Sequence, residues 1–312
     1  MTKDTIGVDV SKDRLDAYRM SDGENRRFAN DHAGHRAFMK WLGGATGTRI
    51  VYEPTGAYHR AFERTLAAAG LALVKVNPRQ ARRFAEATGR LAKTDRLDAA
   101  MLARMGALLA LEARPVRNPA LNDLKDLLIA REALVKNRTA AKNRAKNLTL
   151  PILKRQNGEQ LRQIERQMAA IESEIMALIK VDPQLARRFD ILVSIPGVSA
   201  ITAFALIIDM PELGSIGNGQ AASLAGLAPV ARQSGHWTGR AFIRGGRSNV
   251  RQALYMPALV AMRFNPDLKA KYDQLKAAGK PSKVAITALM RKLVVLANAL
   301  LRDGRKWAPS LP

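Results

Sequence analysis

The chain has 312 residues, 47% of them hydrophobic, and sets 51 lysines and arginines against 27 acidic residues for a formal net charge of +24. That length and apolar content supply cores for two or three domains, and the charge calls for a polyanionic partner, nucleic acid first. The lack of cysteine excludes disulfides and thiolate metal sites, the late apolar stretch VAITALMRKLVVLANALL is broken by Arg291 and Lys292, and MTKDTIGVDV lacks a signal-peptide pattern, so the expectation is a cytoplasmic, nucleoid-associated protein with no membrane partner.

TIGVDV and TRIVYEP read as short β-branched strands and HRAFMKWLGG as a helix closed by Gly43 and Gly44. YHRAFERTLAAAGLALVKVNP reads as a helix, Gly70 and a third strand ending at Pro78. This alternation predicts an α/β domain over residues 1–115, with a sheet that is at least partly parallel and covered by helices. A ligand site in such a sheet lies outside the carboxyl ends of the strands, where Asp9 and Glu53 fall. GRLAKTDRLDAAMLARM then places Asp95 and Asp98 three residues apart, on one helix face.

Two like charges about 4 Å apart repel by about 4 kcal/mol at an effective dielectric near 20, and Asp9 and Glu53 beside them add to the penalty. Either some carboxyls stay protonated or cations bind among them. With oxygen ligands alone, the cation is Mg2+ or Mn2+ rather than zinc, and paired hard cations suit displacement at a phosphodiester. Each acid also has a plainer role: Thr94 and Asp95 as helix caps, Asp98 at the positive end of the helix dipole, Asp9 in a strand-end turn, Glu53 as a loop acid before Pro54. The metal reading rests on the four together.

From Pro119 the pattern turns helical. Leu161, Ile164, Met168, Ile171, Ile175 and Leu178 repeat at spacings of three and four, and Leu121, Leu124, Leu128 and Val135 begin a matching stripe. Residues 116–185 are therefore expected to form an antiparallel coiled-coil hairpin, used for self-association or packed on its own chain. Between the stripes lies a basic tip without an acid, including Lys136, Arg138, Lys142, Arg144 and Lys146, suited to nucleic-acid backbone or simply a solvated face.

Residues 186–312 read as a mainly helical domain. ILVSIPGVSAITAFALIIDM is either a helix-hairpin-helix, with Ser199 where a second glycine is usual, or a tight turn between buried helices. RQSGHWTGRAFIRGGRSNVR carries Arg232, Arg240, Arg244, Arg247 and Arg251 with no acid, and Gly235, Gly239, Gly245 and Gly246 allow close approach of a phosphate chain. Ser234 lies in this loop, and on composition alone Ser248 is an equal candidate for a reactive hydroxyl. His236 beside it is more simply a backbone or phosphate contact than its base.

IGVDVSKDRLDAY, VYEPTGAYHR, LAKTDRLDAAMLARM and LAGLAPVARQSGHWTGRAFIRGGRSNVRQAL together resemble the IS110 family of insertion-sequence transposases over nearly the whole chain. The resemblance implies that Asp9, Glu53, Asp95 and Asp98 form the DEDD cluster of an RNase-H/RuvC-like domain and hold Mg2+. It implies that Ser234 in a C-terminal transposase domain forms a covalent phosphoserine link to DNA, at a composite site built within or between subunits of a homodimer or homotetramer. It further implies a structured noncoding bridge RNA that pairs with donor and target DNA. Two alternatives keep the same residues: a Mg-dependent junction-resolving nuclease that uses water, and a noncatalytic basic nucleic-acid-binding protein whose acids are caps. No GxxxxGK[ST] loop occurs, which disfavours nucleotide hydrolysis.

Overall fold

The computed structural model describes residues 4–43, 47–56, 58–89, 95–113, 119–235, 237–239 and 241–309, and it divides into two compact units, 1–117 and 118–312. Unit 1 is a five-stranded mixed sheet with helices. β1 (Asp4–Val10), β2 (Arg14–Arg19) and β3 (Asn25–Ala29) form an antiparallel meander. After α1 (His32–Leu42), β4 (Thr48–Glu53) returns parallel to β1, and α2 (His59–Ala68) leads to β5 (Ala72–Lys75), parallel to β4. The spatial order is β3-β2-β1-β4-β5, completed by α3 (Pro78–Ala87) and α4 (Asp95–Leu108).

Local chemistry places these ends. The Asp31 carboxylate accepts from the Gly34 amide at 2.7 Å to start α1, and Asn77 caps α3 with Pro78 at its first position. Ile6, Val8, Val10, Ile50 and Tyr52 alternate onto one face of the sheet, packing with Phe38 and Trp41 of α1 and Phe62 and Leu66 of α2. Val51 and Val74 face the other way, toward Met101, Leu102 and Met105 of α4.

The alternating strands and helices expected from sequence are present as β1, β4, β5, α1 and α2, with β5 ending at Lys75 rather than Pro78. β2 and β3 are additional. Their residues are mostly polar or charged, and only Leu15, Ala17 and Phe28 contribute to the core, so they offer little apolar alternation to read.

Unit 2 is mainly helical. α5 (Pro119–Ala145) and α6 (Pro151–Val181) run antiparallel: Arg131 bonds Glu172 at 2.7 Å, and nearer the tip Asn157 donates to the Ala141 carbonyl at 3.2 Å. Leu124, Leu128, Ile175 and Ile179 join the same core as α7 (Pro183–Val193) and α8 (Ala200–Asp209). The Pro-Gly turn before α8 buries Ile195 and Val198 in that core, as a packed turn does. α9 (Asn218–Leu224) precedes two short ribbons, β6 (Pro229–Val230) with β9 (Phe242–Ile243) and, within it, β7 (Gln233–Ser234) with β8 (Trp237–Thr238).

The chain closes with α10 (Ser248–Ala253), α11 (Tyr255–Phe264), α12 (Pro266–Ala277) and α13 (Ser282–Asp303). Among the described residues α13 is the one helix long and apolar enough to cross a membrane, by length and composition. Its Ala285, Leu289, Leu293, Val294, Ala297 and Leu300 are fully buried in the unit 2 core, with Arg291 and Lys292 outward.

Candidate functional site

The parallel ladder between β1 and β4 ends with Asp9 directly opposite Glu53, and on its other side β1 sets Asp9 opposite Asp16 of β2. Cross-strand neighbours share a face at about 5 Å between Cβ atoms, so Asp16, Asp9 and Glu53 form one carboxylate row. The row lies on the α4 side of the sheet, because Gly7, two residues before Asp9, abuts that helix: a Cβ on Gly7 would stand 1.9 Å from the Ala99 carbonyl oxygen. A Cβ on Gly106, toward the helix C-terminus, would meet Val51 and Thr5. α4 therefore runs opposite to β1, which puts its first turn, opened by Asp95, toward the strand end where Asp9 stands.

Asp9, Glu53 and Asp98 are all half-buried. Asp16 is 8% exposed, and its charge is met by Arg27 at 2.8 Å and Arg14 at 3.6 Å. The Asp95 side chain and Thr94 lie outside the described residues. Among the described residues no group of three or more His, Asp or Glu side chains is close enough to hold a metal ion. What does fit a hard divalent cation is the donor chemistry: oxygen alone, with Asp9 and Glu53 as register neighbours at the carboxyl ends of parallel strands.

Ser234 ends β7 and pairs with Trp237 across a tight turn begun by Gly235, whose φ of 56° only glycine adopts without strain. Its hydroxyl-bearing residue is exposed. The ribbon holds its shape through the Gly239 amide, which donates to the Arg232 carbonyl at 2.8 Å, while the Arg232 guanidinium lies 5.0 Å from the Phe242 ring centre. Ser248, the other candidate hydroxyl, is the first residue of α10. Arg240 and His236 lie outside the described residues.

Of the other loop arginines, Arg244 is exposed. Arg247 makes a bidentate pair with Glu212, both bonds at 2.7 Å, and bonds the Asp209 carbonyl; the Glu212 carboxylate pushes its pKa up. Arg251 donates to the Gly245 carbonyl at 2.9 Å. These two guanidiniums brace the loop, and Glu212 stands too far from Arg247 in sequence for local reading to pair them. On the hairpin, Lys136, Lys142, Arg144 and Lys146 are exposed and Arg138 is half-buried.

Residues 6–152 match a transposase family, the IS110 DEDD domain, and residues 189–273 match the transposase IS116/IS110/IS902 family. The chain is 28% identical over 319 residues, 98% of each protein, to the pilin gene-inverting proteins of Moraxella bovis and Moraxella lacunata. It is 31% identical over 166 residues, 53% of this chain and 40% of the relative, to the insertion element IS110 uncharacterized 43.6 kDa protein of Streptomyces coelicolor.

Proposed function

The chain belongs to the IS110 family of insertion-element transposases, enzymes acting on DNA, and on that premise we propose that it cuts and rejoins DNA through Ser234, with Asp9, Glu53, Asp95 and Asp98 as ligands for Mg2+ in an RNase-H-like domain. The observation that carries this reading is the Asp9–Glu53 register pair on the face covered by α4. Bound there, Mg2+ or Mn2+ would offset carboxylate repulsion and supply Lewis acidity toward a phosphodiester.

The Ser234 hydroxyl attacks phosphorus; its Oγ–P bond forms as the bond from phosphorus to a sugar oxygen breaks, and the hydroxyl proton ends on that leaving oxygen. One phosphodiester replaces another, so a second sugar hydroxyl reverses the exchange and rejoins the strands without nucleotide hydrolysis. Arg232, Arg240 and Arg244 neutralise the phosphate. The exposed cations of the α5–α6 tip hold the backbone of donor DNA, target DNA or a structured guide RNA, and copies associate as a homodimer or homotetramer. The pilin gene-inverting relatives, similar over 98% of both chains, support rearrangement of DNA rather than simple hydrolysis.

The test uses the full chain with Mg2+, its RNA and DNA spanning the flanks of its gene, trapped by denaturation. Wild type should leave a DNA-linked protein band that Ser234→Ala abolishes. An adduct that persists in Ser234→Ala overturns the serine, and free 5′-phosphate ends without any adduct favour the nuclease that uses water.

A further inference from the structure

Asn30 follows β3 and precedes Asp31, the cap of α1, and it takes no part in the carboxylate row. Its side chain nevertheless joins three separate segments. Nδ2 donates to the Ser11 carbonyl at 2.8 Å and to the Tyr58 carbonyl at 3.1 Å, while Oδ1 meets Nε2 of His35 at 2.9 Å. Ser11 lies two residues past Asp9 on the chain, and Tyr58 five residues past Glu53, at the start of α2. One amide thus ties together the loops that leave both carboxylate-bearing strands. The Asn30 backbone amide adds a bond to the Asp13 carbonyl at 3.1 Å.

The orientation of this group is forced. Carbonyl oxygens only accept, so the NH2 group faces Ser11 and Tyr58 and the amide oxygen faces His35. That oxygen also only accepts, so Nε2 of His35 carries a hydrogen. His35 is 1% exposed, Nδ1 has no partner among the described residues, and burial lowers its pKa, all of which suit a neutral ring with Nδ1 bare.

The location gives the amide its purpose. The β1–β4 ladder stops at Asp9 and Glu53, and Pro54, which has no N–H, cannot donate a further rung. Terminal pairs of a ladder open most readily. A crosslink between the segments that follow the last rung resists that opening where the two carboxylates stand.

We infer that Asn30, oriented by His35, is a positioning residue that locks the loops after β1 and β4 and so holds Asp9 and Glu53 at fixed spacing. This rests on the reading of those carboxylates as cation ligands. Partners behind metal ligands typically govern affinity by about 10–100-fold.

The experiment compares full-length wild type, Asn30→Leu, His35→Leu, His35→Gln and Asp9→Asn by hydrogen exchange at Ser11 and Tyr58 and by calorimetric titration with Mn2+. Asn30→Leu and His35→Leu should speed exchange at both segments and weaken Mn2+ binding by about 10–100-fold. His35→Gln, whose amide nitrogen reaches the Nε2 position, should recover both. Should Asn30→Leu fail to fold, the two His35 variants decide. Unchanged exchange, or wild-type Mn2+ affinity in Asn30→Leu and His35→Leu, overturns the positioning role. Equal Mn2+ binding by wild type and Asp9→Asn overturns the carboxylate reading instead, and the exchange data still judge the lock.

Discussion

Two imidazoles of unit 1 couple its stability to pH. His35 has its pKa lowered by burial first and by nearby His32 second, against the opposing Asp31. His59 is lowered by burial and by Lys75, whose ammonium lies 3.2 Å from Nε2, against the opposing Glu63. Both titrate near the ordinary 6.5 when unfolded and lower when folded, so below that pH the unfolded chain binds more protons and stability falls with it. Thermal melts from about pH 8 down to about pH 5.5 should show a falling midpoint that is shallower in His35→Gln. A midpoint slope identical in wild type and His35→Gln would contradict the assignment. Asn30 and Asp16 escape a reading of the sequence alone, because the Ser11 and Tyr58 carbonyls and the Arg27 guanidinium come near them only once the chain folds. Asp9, Glu53 and Ser234 stand out only as members of a pattern that spans the chain.

Among the elements, the contact of α4 with β1 matters most for the site. Gly7 gives the helix room to touch the strand backbone: its Cβ would fall 1.9 Å from the Ala99 oxygen and 2.6 Å from the Ala103 nitrogen. Gly7→Ala must push backbone aside, and overpacking of this kind costs about 1–3 kcal/mol, more where backbone itself has to move. Urea denaturation should show a lower midpoint at unchanged slope, and a wild-type midpoint would mean that α4 is not seated on β1. Elements with a strong period are legible before folding: Ile6, Val8 and Val10 mark β1, and the Ile164–Met168–Ile175 stripe marks α6. The ribbon that carries Ser234 is not, since strands of two residues have no period and depend on turn geometry. β2 hides for another reason: Arg14, Asp16 and Arg19 interrupt its few apolar residues with charge, which ion pairs with Arg27, Asp22 and Glu24 meet only after folding.

The whole molecule consists of two units with separate cores, joined near residue 117, under a net charge of +24. Composition foretells the charge, and apolar spacing the helical second half. The hairpin's periodicity does not say that its base merges with the core of α7 and α8, because a heptad seam specifies a partner helix and not what lies beyond it. In the proposed reaction Ser234 carries the strand during exchange and Asp9 serves as a metal ligand. The most direct measurement is mass spectrometry of the trapped protein–DNA species after nuclease and protease digestion. A nucleotide remnant is expected on the peptide containing Ser234, absent when Asp9→Asn replaces wild type. A remnant on any other residue, or an undiminished remnant on Ser234 in Asp9→Asn, would contradict it.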